Sequence, residues 1–402
     1  MKSNIRYSLI LFLNNKNRQT VRILLGCGLF VVLFFSVFMC GCAAKEATGS
    51  YAACPQYVES MQLEYATKFS VDFYTDGYEH IHIADGDDYI LVPENGEENN
   101  LGYGNAVFIH KPVSNIYLAA SATMDLFKEI DALDYITACS TKAEDYVIEG
   151  ISEKIQSEDI LYVGKYSAPD FDLLLARDTK LAIESTMINH SPKVKEKLES
   201  LKISVLTDYS SYEENPLGRL EWIKLYGVLC DKRKIAEDYY EAQVNLINEI
   251  ISDVEAKNAD EKPKIVFFYV SSNGYINVRK PGDYISKMIS IAGGEYSLES
   301  LKIDEENALS TVNISWEDFY TYAKDADILI YNSTTAGKID SVKDLVDKNS
   351  LFEDFKAVQN KKVFCTSQNM YQESSKIGEI ILDFSRIIND RYDELEFMEK
   401  LD

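Results

Sequence analysis

Four histidines, His80, His82, His110 and His190, are the side chains best suited to acid–base work or metal ligation, and all lie in the first half of the chain. His80-x-His82 puts two imidazoles on one face of an alternating strand, a spacing that could hold a metal. An outward-facing pair on a solvated strand has the same spacing and is the plainer expectation. The four other motifs sought are absent: no GxSxG elbow, no Walker loop, no HExxH helix and no dinucleotide glycine fingerprint. Cys54, Cys139, Cys230 and Cys365 are widely scattered with no CxxC pair, which removes zinc and dithiol redox chemistry and leaves buried free thiols as the expectation. No catalytic residue, no catalytic cofactor and no resident metal are expected, and the chain is not read as an enzyme.

Charge narrows the classes further. The 402-residue chain carries 41 basic and 65 acidic residues, and Lys2, Arg6, Lys16, Arg18 and Arg22 are the only charges in the first 41 positions. Without that leader the balance is 36 against 65, a net charge of −29. So acidic a surface repels nucleic acid and anionic headgroups. Residues 23–40 form an uncharged apolar run after the basic leader, followed by Gly41-Cys42-Ala43-Ala44. A basic region, an apolar region and small residues describe an export signal over 1–41. The cysteine at its end resembles the bacterial lipobox, so Cys42 is the expected lipidation site. An uncleaved anchor is the competing reading, since 18 apolar residues can just span a bilayer. Both readings place the folded part outside the cytoplasm, tethered to the membrane.

The elements that would position any site follow from periodicity. Residues 42–66 are small and polar and read as a tether. From Thr67 to Val92 the alternation of apolar residues, broken at Asp76-Gly77 and Asp85-Gly86, predicts an antiparallel hairpin or meander. Strand–helix alternation then runs to residue 212, implying parallel sheet. Residues 228–262 lack Gly and Pro, and Asp231–Lys257 predicts one helix roughly 40 Å long. Ile235, Tyr239, Ala242, Leu246 and Ile250 make one apolar stripe on it, with Tyr240, Val244, Ile247, Ile251 and Val254 beside it. Alternation resumes over 258–402. Residues 169–186 and 316–334 share a plan: an acid-led helix, Ala-basic-Asp or its near equivalent, then an apolar strand ending in hydroxyl or amide residues. The expected architecture is therefore α/β: two similar Rossmann-like lobes, 67–212 and 258–402, joined by the helical segment 213–257. The cleft would lie at the C-terminal ends of the strands.

This order of parts resembles the class III ABC-transporter substrate-binding proteins, which include the cobalamin-, ferric-siderophore- and haem-binding proteins. The resemblance covers about residues 67–390. It is carried by NIYLAASATMDLF (115–127), YVGKYSAPDFDLLL (162–175), SSYEENPLGRLEWIKLYG (210–227), NVRKPGDYISKMISIAGGEY (277–296) and CTSQNMYQESSKIGEI (365–380). It implies a monomer that captures a metal chelate and delivers it to an ABC permease and its ATPase. A ferric siderophore is the first expectation, then cobalamin or haem. Ligand contacts implied in the first lobe are Ser121, Thr123, Lys165, Tyr166, Thr186, Met187 and His190. In the second lobe they are Tyr269, Asn273, Arg279, Lys280, Asn332, Met370, Tyr371 and Gln372. Aromatic and Met side chains give broad apolar contact, while Arg279 and Lys280 supply positive charge suited to an anionic cargo. His190 could be an axial or first ligand to haem or metal, although Ser191-Pro192 after it suggests a helix start instead.

The resemblance further implies one surface carboxylate per lobe that docks on the permease. Ser167-x-x-Asp170 and Ser315-x-x-Asp318 read as capping boxes, which leaves Asp172 and Glu317 for docking. The reading from a different class is a membrane-anchored solute sensor or adhesive surface protein that feeds no transporter.

Overall fold

The computed structural model describes residues 54–257, 261–303 and 310–402. The expected export signal and Cys42 lie outside the described residues. Among them, no helix is long and apolar enough to cross a membrane.

The N-terminal sheet contains β1 (Tyr57–Ser60), β2 (Phe69–Tyr74), β3 (Glu79–Ile83), β4 (Asp88–Val92) and β5 (Val107–His110), side by side in chain order. β2 to β4 form the expected antiparallel meander, β1 adds to it antiparallel to β2, and β5 runs parallel to β4. The tether expectation fails for residues 57–66. β1 pairs with β2, and Met61 is buried. The buried carboxylate of Glu221 accepts the amides of Glu64, Tyr65 and Ala66 at 2.8–3.1 Å. Glu213 does the same for Thr67 and Lys68. Composition misses this segment because its backbone, rather than its side chains, is what the fold recruits.

The first lobe's sheet holds β6 (Ile116–Leu118), β7 (Ile136–Cys139), β8 (Leu161–Tyr162), β9 (Leu181–Ser185) and β10 (Ser204–Asp208) in the order β10-β9-β6-β7-β8, all parallel. Its helices are α1 (Thr123–Glu129), α2 (Ile151–Gln156), α3 (Phe171–Ala176) and α4 (Pro192–Ser200). α3 starts at Phe171 because Asp170 is itself the cap, accepting the amides of Asp172 and Leu173 at 3.0 and 3.1 Å. The capping box expected from Ser167 to Asp170 is therefore not the arrangement found.

Next come α5 (Pro216–Leu229) and α6 (Arg233–Lys257), joined by a three-residue turn in which Asp231 adopts φ 53°. That left-handed residue is why α6 begins two positions later than expected. α5 is buried along nearly its whole length. Gly227 lets it approach α6 closely, since a Cβ there would meet that of Ala236 at 2.6 Å. On α6 the buried seam is Ala236, Tyr240, Gln243, Ile247 and Ile250, a 4-3-4-3 spacing that lies between the two expected stripes. Ile235 and Ala242, placed on the apolar face by the wheel, are exposed. The joint between lobes is thus a helical pair with α5 inside, rather than one long rod alone.

The second lobe's sheet is mixed. It comprises β11 (Lys264–Val270), β12 (Ile276–Arg279), β13 (Glu295–Tyr296), β14 (Thr311–Ile314), β15 (Ile328–Tyr331), β16 (Val363–Thr366) and β17 (Met398–Lys400), in the order β14-β12-β11-β15-β16-β17 with β13 also on β11. β11, β15 and β16 are parallel, whereas β12, β14 and β17 run against their neighbours. Its helices are α7 (Tyr284–Ile291), α8 (Trp316–Ala323), α9 (Ser333–Ala336), α10 (Val342–Lys348), α11 (Lys356–Gln359) and α12 (Ile377–Ile388). Ser315 caps α8 as the spacing predicts, its Oγ accepting from the Asp318 amide at 3.0 Å. One apolar cluster runs from the first lobe through α5 and α6 into the second, so the lobes share a core along one side.

Candidate functional site

The loops after all five strands of the parallel sheet meet at one end of the first lobe. Ala119–Thr123 follow β6, Ser140 and Thr141 follow β7, Lys165 and Tyr166 follow β8, Ser185 ends β9, and Asp208, Ser210 and Ser211 end or follow β10. They line an open depression of roughly 790 Å³ that is rich in hydroxyl groups. Parallel strands all end on the same side of the sheet, so their loops converge without any local sequence signal.

Asp208 organises this floor from beneath. Its buried carboxylate accepts from Thr123 Oγ1 at 2.6 Å, from the Tyr226 hydroxyl at 2.8 Å and from the Ser210 amide at 2.6 Å. Those bonds tie the start of α1, the buried helix α5 and the β10 loop to one group. One residue before Ser185 lies Glu184, wholly buried with no partner for either oxygen among the described residues, and burial pushes its carboxyl up to about 8. It is held as a neutral acid in the lobe rather than as a surface charge.

A second, more enclosed space shares Ala122, Thr123, Ser210 and Ser211 with the depression and continues it toward the second lobe. Its far walls come from helices. Tyr284, Ile285 and Met288 project from α7, Ile377 and Ile380 from α12, and Met370 and Tyr371 from the turn after β16. Arg219, in the first turns of α5, supplies its cation.

The charged end is built from stacked pairs. The Arg219 guanidinium lies 3.6 Å over the Tyr284 ring and donates to the carbonyls of Glu213 (3.1 Å) and Ser211. Among the described residues no carboxylate pairs with it. Burial, with Arg279 close by, holds Arg219 below the usual arginine range. Arg279 sits behind, buried, donating to the hydroxyls of Tyr371 (2.7 Å), Ser310 (3.1 Å) and Tyr284 (3.3 Å), with Asp283 at 3.6 Å. The Tyr371 oxygen also accepts from Asn332 at 3.3 Å. With both lone pairs engaged, and with burial raising its pKa against the pull of Arg279, the Tyr371 phenol keeps a proton to donate into the cavity. Two guanidiniums against one carboxylate, in an apolar setting, make a local excess of positive charge suited to an anion.

Of the expected contacts, Ser121, Thr123, Lys165 and Tyr166 line the first-lobe depression, and Met370 and Tyr371 line the cavity. Arg279 and Asn332 support Tyr371 from behind rather than facing the space. Thr186, Met187 and His190 lie on a turn after β9, and Met187 and His190 are exposed; none lines either space. Tyr269 at the end of β11, Asn273 in the exposed turn before β12, and half-buried Lys280 after β12 also stand outside both. Gln372 points across to the first lobe, where it bonds Asp145 and Val147. Arg219, Tyr284, Met288, Ser140, Thr141, Ser210 and Ser211 were not foreseen. Arg219 had a signal: it is the only arginine between Arg177 and Arg233 and lies inside one of the resembling stretches.

Asp172 and Glu317 occupy the first turns of α3 and α8, both exposed and with no hydrogen bond or ion pair on either carboxylate among the described residues. His80 departs from expectation. It is buried, stacked on Tyr103 at 3.5 Å, and shares Asp88 with the exposed His82 at 2.8 and 2.9 Å. Among the described residues no group of three or more His, Cys, Asp or Glu side chains is arranged to hold a metal ion. Cys139, Cys230 and Cys365 are buried free thiols and Cys54 an exposed one.

Comparison with known proteins adds the following. A family model described as periplasmic binding protein matches residues 118–370. An uncharacterised lipoprotein of Methanocaldococcus jannaschii is 27% identical over 250 residues, 62% of this chain, and the chain spans 57% of that relative's length. A periplasmic haem-binding protein of Pseudomonas aeruginosa superposes with a TM-score of 0.57 at 12% identity, covering 72% of this chain and 98% of that one. The petrobactin-binding protein of Bacillus subtilis gives 0.56 at 16% identity, covering 79% and 100%. At these identities the two structures speak to the fold.

Proposed function

The chain belongs to the periplasmic binding protein family, the solute-binding proteins of ABC importers, and from that premise we propose that it captures an anionic iron chelate for uptake. A ferric siderophore fits best, ahead of haem and a corrinoid. The observation that carries this is the Arg219 guanidinium stacked on Tyr284, with the Tyr371 hydroxyl held by Arg279, at a largely apolar cavity between the lobes. Ring faces and Met288 and Met370 suit the body of a flat or aromatic chelate. The guanidinium of Arg219 and the hydroxyl of Tyr371 suit its negative groups, and the hydroxyl-rich first-lobe floor suits its remaining polar edge. The chelate brings its own metal, so no protein ligand set is needed. The export signal and Cys42, together with a lipoprotein relative, support attachment to the outer face of the membrane, and exposed Asp172 and Glu317 are the proposed permease contacts.

Calorimetric titration with a ferric tris-catecholate, haemin and cyanocobalamin tests the reading. The ferric catecholate should bind most tightly, at micromolar or lower concentration, the others more weakly. If none of the three binds, the chelate reading falls.

A further inference from the structure

The turn that carries Met370 and Tyr371 continues directly into the other lobe. Over four consecutive residues the chain from Gln372 to Ser375 makes five hydrogen bonds to the first lobe. The Gln372 amide is used at both ends: Nε2 donates to the Asp145 carbonyl at 2.7 Å, and Oε1 accepts from the Val147 amide at 3.0 Å. Ser374 Oγ donates to the Ala122 carbonyl at 2.6 Å. Ser375, wholly buried, sends both its amide (2.9 Å) and its hydroxyl to one oxygen of Asp125. Asp125 is buried on α1, the helix whose first residue, Thr123, lines the cavity, and its other oxygen has no partner among the described residues. Lys376 approaches Glu129, one helical turn beyond Asp125, at 4.0 Å. These bonds lie beside the cavity, and Ser374 and Ala122 line it.

We infer that Gln372–Ser375 is a latch between the lobes and that Asp125, its buried receptor, is a positioning residue that holds Met370 and Tyr371 against the cavity and sets how fast cargo enters and leaves. The physical reason is the number of bonds released at once. Each is modest alone, but the Asp125 pair is buried and cannot be replaced by water until the segment lifts. Lifting that segment moves Tyr371 away from Arg279 and opens the side of the cavity. The inference rests on the cavity being the cargo site, and its test separates the two ideas.

Hydrogen exchange on the ligand-free protein reads the latch alone. Asp125→Ala and, separately, the half-buried Gln372→Ala should speed amide exchange at least tenfold over residues 370–376 and 122–126, with α6 amides unchanged. Asp125→Asn keeps an acceptor for Ser375 and should stay within about threefold of the wild type. In stopped-flow mixing with the ferric tris-catecholate, both association and dissociation should quicken by about tenfold in the Ala variants, leaving the dissociation constant within about threefold. Unchanged exchange over 370–376 in both Ala variants overturns the latch, as does faster exchange with unaltered rates of ligand exchange. If the probe fails to bind the wild type at all, the cavity reading falls while the exchange data still decide the latch.

Discussion

The two lobes share a strand–helix plan yet face the cleft with different chemistry. In the first lobe an all-parallel sheet turns five strand ends toward the cleft, so its surface is loop backbone and hydroxyls over a buried Asp208. In the second, β12 and β17 run against the parallel core, and helices α7 and α12 with the turn after β16 supply the wall. That wall is apolar and aromatic, with its cation borrowed from α5, the helix between the lobes. Related segments, 169–186 and 316–334, do not imply equal roles. On the proposed reading the lobes divide the work, one offering hydroxyl groups and the other apolar and aromatic area, with the cation on the helix between them.

That division is most exposed to Arg219→Ala. Removing the guanidinium should cost about 1.5–3 kcal/mol of binding to the ferric catecholate, while Ser140→Ala on the other lobe costs under about 1 kcal/mol, both by calorimetry. Equal losses would mean that the lobes do not differ as described.

Glu184 offers a comparison within stability. Its folded pKa lies above the ordinary glutamate value, so its contribution is fully present below that range and is lost as pH rises toward about 8. Glu184→Gln should remove a slope of up to about 1.4 kcal/mol per pH unit between pH 5 and 8, and its gain over the wild type should grow with pH in urea unfolding. Parallel curves for the two proteins would place the proton elsewhere.

Charge reversal at the lobe tips should leave binding untouched. Asp172→Lys and Glu317→Lys should each impair chelate uptake by cells while changing affinity in solution less than about twofold, because both carboxylates are exposed and outside the cavity. The smallest effect is expected at His190→Ala. Exposed on its turn, it should leave haemin affinity unchanged.

Much of the architecture was legible in the sequence. The helical segment 213–257 holds both α5 and α6, and Pro216 marks the start of α5 because proline suits the first helical position. β12 was missed: Ile276–Arg279 is short, lies between Gly274 and Pro281, and owes its strand to pairing with β11 and β14 rather than to local pattern. β1 was missed because pairing with β2 makes it a strand, and residues 64–66 because the buried carboxylate of Glu221 on α5, more than 140 residues away, satisfies their amides. For the site, the resemblance pointed to Ser121, Thr123, Lys165 and Tyr166 on loops after strands, and these line the first-lobe depression; the rule that parallel strands end on one side, applied to every strand, reaches Ser140, Thr141, Ser210 and Ser211 as well. It could not find Tyr284 and Met288, which reach the cavity from a helix face, nor distinguish Arg279 behind Tyr371 from Arg219 in front. That distinction depends on the tertiary partners: Arg279 is taken up by the hydroxyls of Tyr371, Ser310 and Tyr284, while Arg219 lies on the cavity face of Tyr284.

A crystal structure of the chain with the ferric tris-catecholate would test the central claim most directly. The chelate should lie between the lobes, with an anionic oxygen within hydrogen-bonding distance of Arg219, rings against Tyr284 or Tyr371, and polar contacts to the loops after β6, β7 or β10. A chelate bound on one lobe alone, with Arg219 still facing an empty cavity, would contradict it.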